Sequence, residues 1–115
     1  MSMKMTNREV GGVFVVALDG RIVLGEESNA LREKLKSLAA EGKKQIVLNM
    51  NNIKYIDSTG LGTLVAAHCS AHAQGASLRM CQLGSKFQEL LQITKLVTVF
   101  EVYDTEAAAV ASFSN

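Results

Sequence analysis

Two histidines, His68 and His72, are spaced i to i+4, which on a helix puts both imidazoles on one face, as in zinc-binding helices. Cys69 follows the first of them and Cys81 stands further along the chain. A hydrolytic zinc motif would carry Glu after the first His, where this chain has Cys69. Nothing local makes four ligands converge from one helix and one strand. A His68 at the edge of an apolar stripe and a solvated His72 account for the pair, and no metal is expected. The cysteines lack the Cys-x-x-Cys spacing of redox turns and read as small apolar core thiols.

Gly60-Leu61-Gly62 resembles a fragment of a phosphate-cradling loop. A Walker-type loop needs a following Lys, and the dinucleotide fingerprint needs three spaced glycines after the first strand; neither is present. Ser58 lacks the G-x-S-x-G elbow of a hydrolase nucleophile. With no acid–base pair and no cofactor motif, the chain is expected to be no enzyme and to need no cofactor. What remains is Tyr55-Ile56-Asp57-Ser58-Thr59-Gly60-Leu61-Gly62. Asp, Ser and Thr are all good helix caps, and three in a row exceed what one helix start requires. A hydroxyl there lies beside free backbone N–H groups in a field that favours anions, so it suits a phosphate.

Composition narrows the classes further. The chain has 115 residues, 48% hydrophobic and 20% charged, which suits a single globular domain spanning 1–115. Twelve basic against eleven acidic residues leave a net charge of +1, and there are two Tyr, four Phe and no Trp. That supplies neither the electrostatic footprint nor the stacking platform of a nucleic-acid binder. The longest apolar run, Val13 to Leu18, falls far short of the ~20 residues of a membrane span. No signal-peptide pattern opens the chain and only two cysteines occur, so a cytoplasmic address is expected.

The elements that must position the segment follow from periodicity. Met3 to Val10 and Val13 to Leu18 read as strands joined at Gly11-Gly12, with Asp19-Gly20 ending the second. A loop through Gly25 leads to a helix with Leu31, Leu35 and Leu38 on one stripe, closed by Gly42. Ile46-Val47-Leu48 is a buried strand, Asn51-Asn52 interrupts it, and Ile53 to Ile56 resumes it. From Ser58 a helix presents Leu61, Leu64, Val65 and His68, ending near Gly75. Leu78 to Leu83 is a strand. Ser85 and Gln88 fit a capping box for a helix with Phe87, Leu90, Leu91 and Thr94 inward. Val99 to Tyr103 is a last strand, and Asp104-Thr105 opens a short helix bearing Val110 and Phe113. Strands alternating with helices predict an α/β domain with a mostly parallel sheet of four or five strands, an antiparallel hairpin at its start and about four helices.

The Tyr55–Gly62 segment resembles the signature of the STAS domain, found in bacterial anti-sigma-factor antagonists and in sulfate-transporter tails. The apolar strand Ile46-Val47-Leu48-Asn49-Met50 followed by Ile53-x-Tyr55-Ile56-Asp57-Ser58-Thr59-Gly60-Leu61-Gly62 matches the pattern position for position. Leu18-x-Gly20 and Leu90-Leu91-x-Ile93-Thr94-Lys95-Leu96 also look like family features, and the resemblance covers essentially the whole chain. It implies an anti-sigma-factor antagonist that, when unphosphorylated, binds an anti-sigma factor with serine-kinase activity and so releases a sigma factor. Ser58 corresponds to the phosphoacceptor, restored by a serine phosphatase. Asp57, Thr59, Gly60 and Gly62 would shape, with Ser58, the partner-binding turn. Many antagonists carry an acidic Gly-Glu-x-Asp-like turn after the second strand, where this chain has Gly20-Arg21-Ile22-Val23. Two other roles fit the same residues: a constitutive interaction module of a sensory or transport assembly, and a small-ligand or nucleotide-binding domain using Gly60-Leu61-Gly62.

Overall fold

The computed structural model describes residues 3–23 and 25–114, apart from the side chains of Glu27 and Val97. The outermost residues of the expected 1–115 domain, and Leu24, lie outside it. Among the described residues, five strands form one sheet in the order β1-β2-β3-β4-β5, with β1 antiparallel to β2 and the other neighbours parallel. This is the expected α/β arrangement with four helices.

β1 (Lys4–Val10) and β2 (Val13–Ile22) are closed by Gly11 and Gly12 at φ +55° and +83°. Both turn positions need the left-handed region, which costs glycine least. β2 does not end at Asp19-Gly20. It runs on to Ile22, with register shifts against β3 at Ala17/Asp19 and at Gly20/Arg21. Gly20, at φ +122°, absorbs the irregularity that a side chain would resist.

β3 (Gln45–Ile56) is likewise unbroken, where an interruption was expected at Asn51-Asn52. The Asn49 side chain accepts the Asn51 N–H at 2.9 Å, and Asn52 still faces Asp19 across the pair. The bulges let the ladder pass through a polar stretch that periodicity alone reads as a break. The result matters for the site, because the paired ends Ile22 and Ile56 arrive together just before Asp57.

α1 (Glu26–Ala40) buries Leu31, Leu35 and Leu38 as its stripe predicts. α2 (Ser58–Ala73) buries Leu61, Leu64, Ala67 and Ala71, with Val65 packed at the margin. β4 (Ser77–Cys81) stops short of Leu83, because Gln82 turns out of the strand at φ +57°. α3 (Ser85–Ile93) has Gly84 as its N-cap, so Ser85 is not the cap and the expected capping box does not form; the Gln88 amide instead donates to Leu83 O at 3.0 Å. Phe87 and Leu91 are buried, Leu90 is half-buried, and Thr94 is exposed at the cap rather than inward. β5 is only Glu101–Tyr103, preceded by a short 3-10 turn at Leu96–Thr98; Phe100 sits in the core. α4 (Glu106–Ala111) is capped by Thr105, whose hydroxyl accepts the Ala108 N–H at 3.0 Å.

Alternation along the strands divides the interior in two. Val16, Leu18, Ile46, Leu48, Met50, Leu78 and Met80 face α1, α2 and α3 in the larger core. Val13, Val15, Val47 and Cys81 face the other way, covered by Ala109 of α4. Burial on both sides explains the near-continuous apolar runs of β2 and β3. Among the described residues, no helix is long and apolar enough to cross a membrane.

Candidate functional site at the start of helix α2

Asp57 stands between β3 and α2, in extended conformation, and its carboxylate accepts the Gly60 N–H at 2.7 Å. Its carbonyl accepts Leu61 N–H at 2.9 Å, and its own N–H donates to Ile22 O at 3.2 Å. One residue therefore caps the helix and ties the helix start to the end of β2. Of the three consecutive cap-forming residues, only Asp57 is used as the cap.

That leaves two hydroxyls over. Ser58, the first helical residue, is exposed, and among the described residues nothing hydrogen-bonds its hydroxyl. Thr59 is exposed beside it, and its carbonyl accepts the Thr63 hydroxyl at 3.0 Å. The first turn of α2 holds no acidic residue, so the positive end of the helix dipole is not offset there by a side chain of that turn.

The two glycines serve different ends. Gly60 is buried, and a Cβ there would collide with Ile22 O and lie 2.8 Å from Ile22 C. The need for glycine at this position is internal: the α2 backbone lies directly on β2. Gly62 is exposed with open space where a Cβ would point. Both lie inside the helix rather than in a loop, so Gly60-Leu61-Gly62 forms no phosphate-cradling turn.

The rim is made by the strand ends. Arg21 is exposed and sits opposite Tyr55, which is 57% exposed, so a cation and an aromatic ring occupy this edge. Val23, just beyond, is held by the buried Ser28, whose hydroxyl donates to its carbonyl at 2.7 Å. In the sequence, Arg21 and Ile22 are marked only by the resemblance, as part of the segment that stands in place of an acidic turn, and local patterning does not single them out. Their place follows from the β2–β3 register, a long-range pairing with no local signal.

The histidines and cysteines are not brought together. His68 packs edge-on to Phe100, with centroids 5.6 Å apart, and His72 and Cys69 are exposed. Cys81 lies on the opposite side of the sheet, where burial and, secondarily, Glu106 push its thiol up to about 11. No group of three or more His, Cys, Asp or Glu among the described residues could hold a metal ion.

Comparison with known proteins gives this geometry a family. BtrV of Bordetella bronchiseptica, named as an anti-sigma factor antagonist, is 25% identical over 111 residues, 96% of this chain and 95% of its own. The fold is similar to that of a Thermotoga maritima protein with the same description, at TM-score 0.88 and 20% identity over 96% of this chain and 95% of the other. It is also similar to the anti-sigma factor antagonist SpoIIAA in its unphosphorylated form, at TM-score 0.74 and 16% identity over 97% and 99% of the two chains. SpoIIAA has been solved in the phosphorylated form as well, and that Bacillus structure matches at TM-score 0.73 and 17% identity over 96% of this chain and 99% of its own. The STAS domain profile matches residues 4–109, and the chain belongs to the STAS domain family.

Proposed function

We propose that this chain is an anti-sigma factor antagonist that engages its partner through the start of α2 and is switched off by phosphorylation of Ser58. The observation that carries the reading is the division of labour at residues 57–60. Asp57 caps the helix and Gly60 seats it on β2, so the exposed Ser58 hydroxyl takes no part in holding the fold. The names of the relatives and the two phosphorylation states of SpoIIAA support it.

A phosphate on Ser58 adds about −1.5 to −2 charge at neutral pH. At a helix N-terminus that charge is tolerated or favoured by ~0.3–1 kcal/mol, so the domain keeps its fold. The switch acts in the complex. A partner carboxylate about 4 Å away would be repelled by ~4 kcal/mol per charge pair near a surface, and each 1.4 kcal/mol is about tenfold in affinity. The chain itself performs no phosphoryl chemistry: the partner, an anti-sigma factor with serine-kinase activity, supplies ATP, Mg²⁺ and base, and a serine phosphatase reverses the modification.

The test uses the cognate anti-sigma factor. Ser58→Ala should bind and resist phosphorylation, while Ser58→Asp should bind more weakly, with thermal stability nearly unchanged in both. Wild-type-like binding by both variants, together with no phosphate on Ser58 or Thr59 after kinase treatment, would sink the switch. A constitutive interaction module would then be the better description.

A further inference from the structure

Beside the α2 site, between the end of β3 and the start of α3, lies a groove of about 400 Å³. Its floor is apolar: Met50 is 1% exposed, Phe87 is 6% exposed, and Leu90 is half-buried. Among the described residues, its charged lining residues are Lys54 and Lys86, and no carboxylate lines it. Both lysines are exposed, and neither has an ion-pair partner among the described residues. Tyr55 presents its ring at the same edge, with 57% of its surface open to solvent.

An apolar trough with cations alone on its margin fits a ligand with an apolar body and an anionic head. The start of α3 adds to the positive end, since Gly84 caps it with no side-chain acceptor. The volume is at the small end of ligand sites, enough for a chain of roughly ten carbons. We infer that this groove binds a single-tailed alkyl carboxylate, with the tail along Met50, Phe87 and Leu90 and the carboxylate between Lys54 and Lys86. The groove also includes Ile56, the residue immediately before Asp57, so a bound ligand would lie next to the α2 site.

The ligand titrations need neither an anti-sigma factor nor phosphate, so they stand or fall independently of the Ser58 switch; only the control that assigns the groove to a protein interface uses the partner. The isotope-labelled chain is titrated with sodium hexanoate, octanoate and decanoate below their aggregation concentrations, and amide resonances are followed by NMR. Saturable shifts confined to residues 50–56 and 84–90 are expected, tightening roughly fourfold per added methylene until the groove is full. The Lys54→Gln/Lys86→Gln double variant should weaken octanoate binding about tenfold or more, and 1-octanol should bind no better than that variant binds octanoate. Absent saturation, shifts spread over the surface, or octanol binding as tightly as octanoate would overturn the proposal. So would preference for phosphatidylglycerol vesicles over monomeric decanoate, which would mark a membrane-facing patch. A groove that refuses decanoate while the double variant loses the protein partner belongs to the protein interface, and that too overturns it.

Discussion

The Cα of Gly60 rests against the backbone of Ile22, so closely that any side chain at position 60 would overlap the Ile22 carbonyl. The same carbonyl accepts the Asp57 N–H. The end of β2 therefore serves as the bed on which the first turn of α2 is laid. The two glycines of α2 differ in a way that can be measured. Gly60→Ala should destabilise by about 1–3 kcal/mol, the usual cost of forced overpacking. Gly62→Ala meets nothing and should stabilise the helix by about 0.5–1 kcal/mol. Urea denaturation of the two variants reads both signs; equal shifts would mean that α2 does not sit on β2 as described.

Asp57→Ala removes the cap carboxylate and should cost about 0.5–2 kcal/mol, whereas Asp57→Asn keeps an acceptor for the Gly60 N–H and should cost less. Amide exchange at Gly60 should accelerate in the first variant and not in the second. A partner that also contacts the charge would separate the two in binding while stability stayed similar.

Glu106 links three elements. Its carboxylate accepts from the Asn49 amide at 2.9 Å and pairs with Arg8. The Asn49 hydrogen bond first, then Arg8, holds this carboxyl below its ordinary value, against a desolvation effect that pulls upward. A depressed folded-state value means that the stability is present above the unfolded value of about 4.5 and is lost as pH falls through the folded one. Glu106→Gln should therefore be less stable than wild type at neutral pH, and the gap should close in acid. Urea midpoints measured at about pH 7 and about pH 3 test this; a gap that persists in acid would assign the loss to packing instead.

The two free cysteines should differ sharply in reactivity. Cys69 is exposed, while Cys81 is fully buried under α4 with its thiol raised to about 11. At about pH 8, a thiol reagent should titrate one group in the folded chain and both in denaturant. Because the folded value exceeds the ordinary 9.0, the contribution of Cys81 to stability is complete below that value and falls as pH rises toward about 11. Rapid labelling of both thiols without denaturant would show that α4 does not cover the sheet.

Much of this protein is legible in its sequence because the relevant physics is local. The spacing of Leu31, Leu35 and Leu38 announces a buried helix face, and Gly11-Gly12 announces a turn with two positive φ angles. Tyr55 to Gly62 marks both the strand-to-helix junction and the family. What periodicity misreads are positions where pairing overrides local preference. Asp19-Gly20 and Asn51-Asn52 look like strand ends, yet bulges and the Asn49 side chain carry both strands onward. The roles within the site were decided by tertiary structure alone. Asp, Ser and Thr are near equivalents as caps, and only the approach of Ile22 selects Asp57 for the helix and leaves Ser58 to solvent. The same approach explains Gly60, and the folding of α3 beside β3 creates the groove with Lys54 and Lys86 on its margin. Contacts between residues far apart in the chain leave no periodic trace, because each depends on where two distant backbones meet.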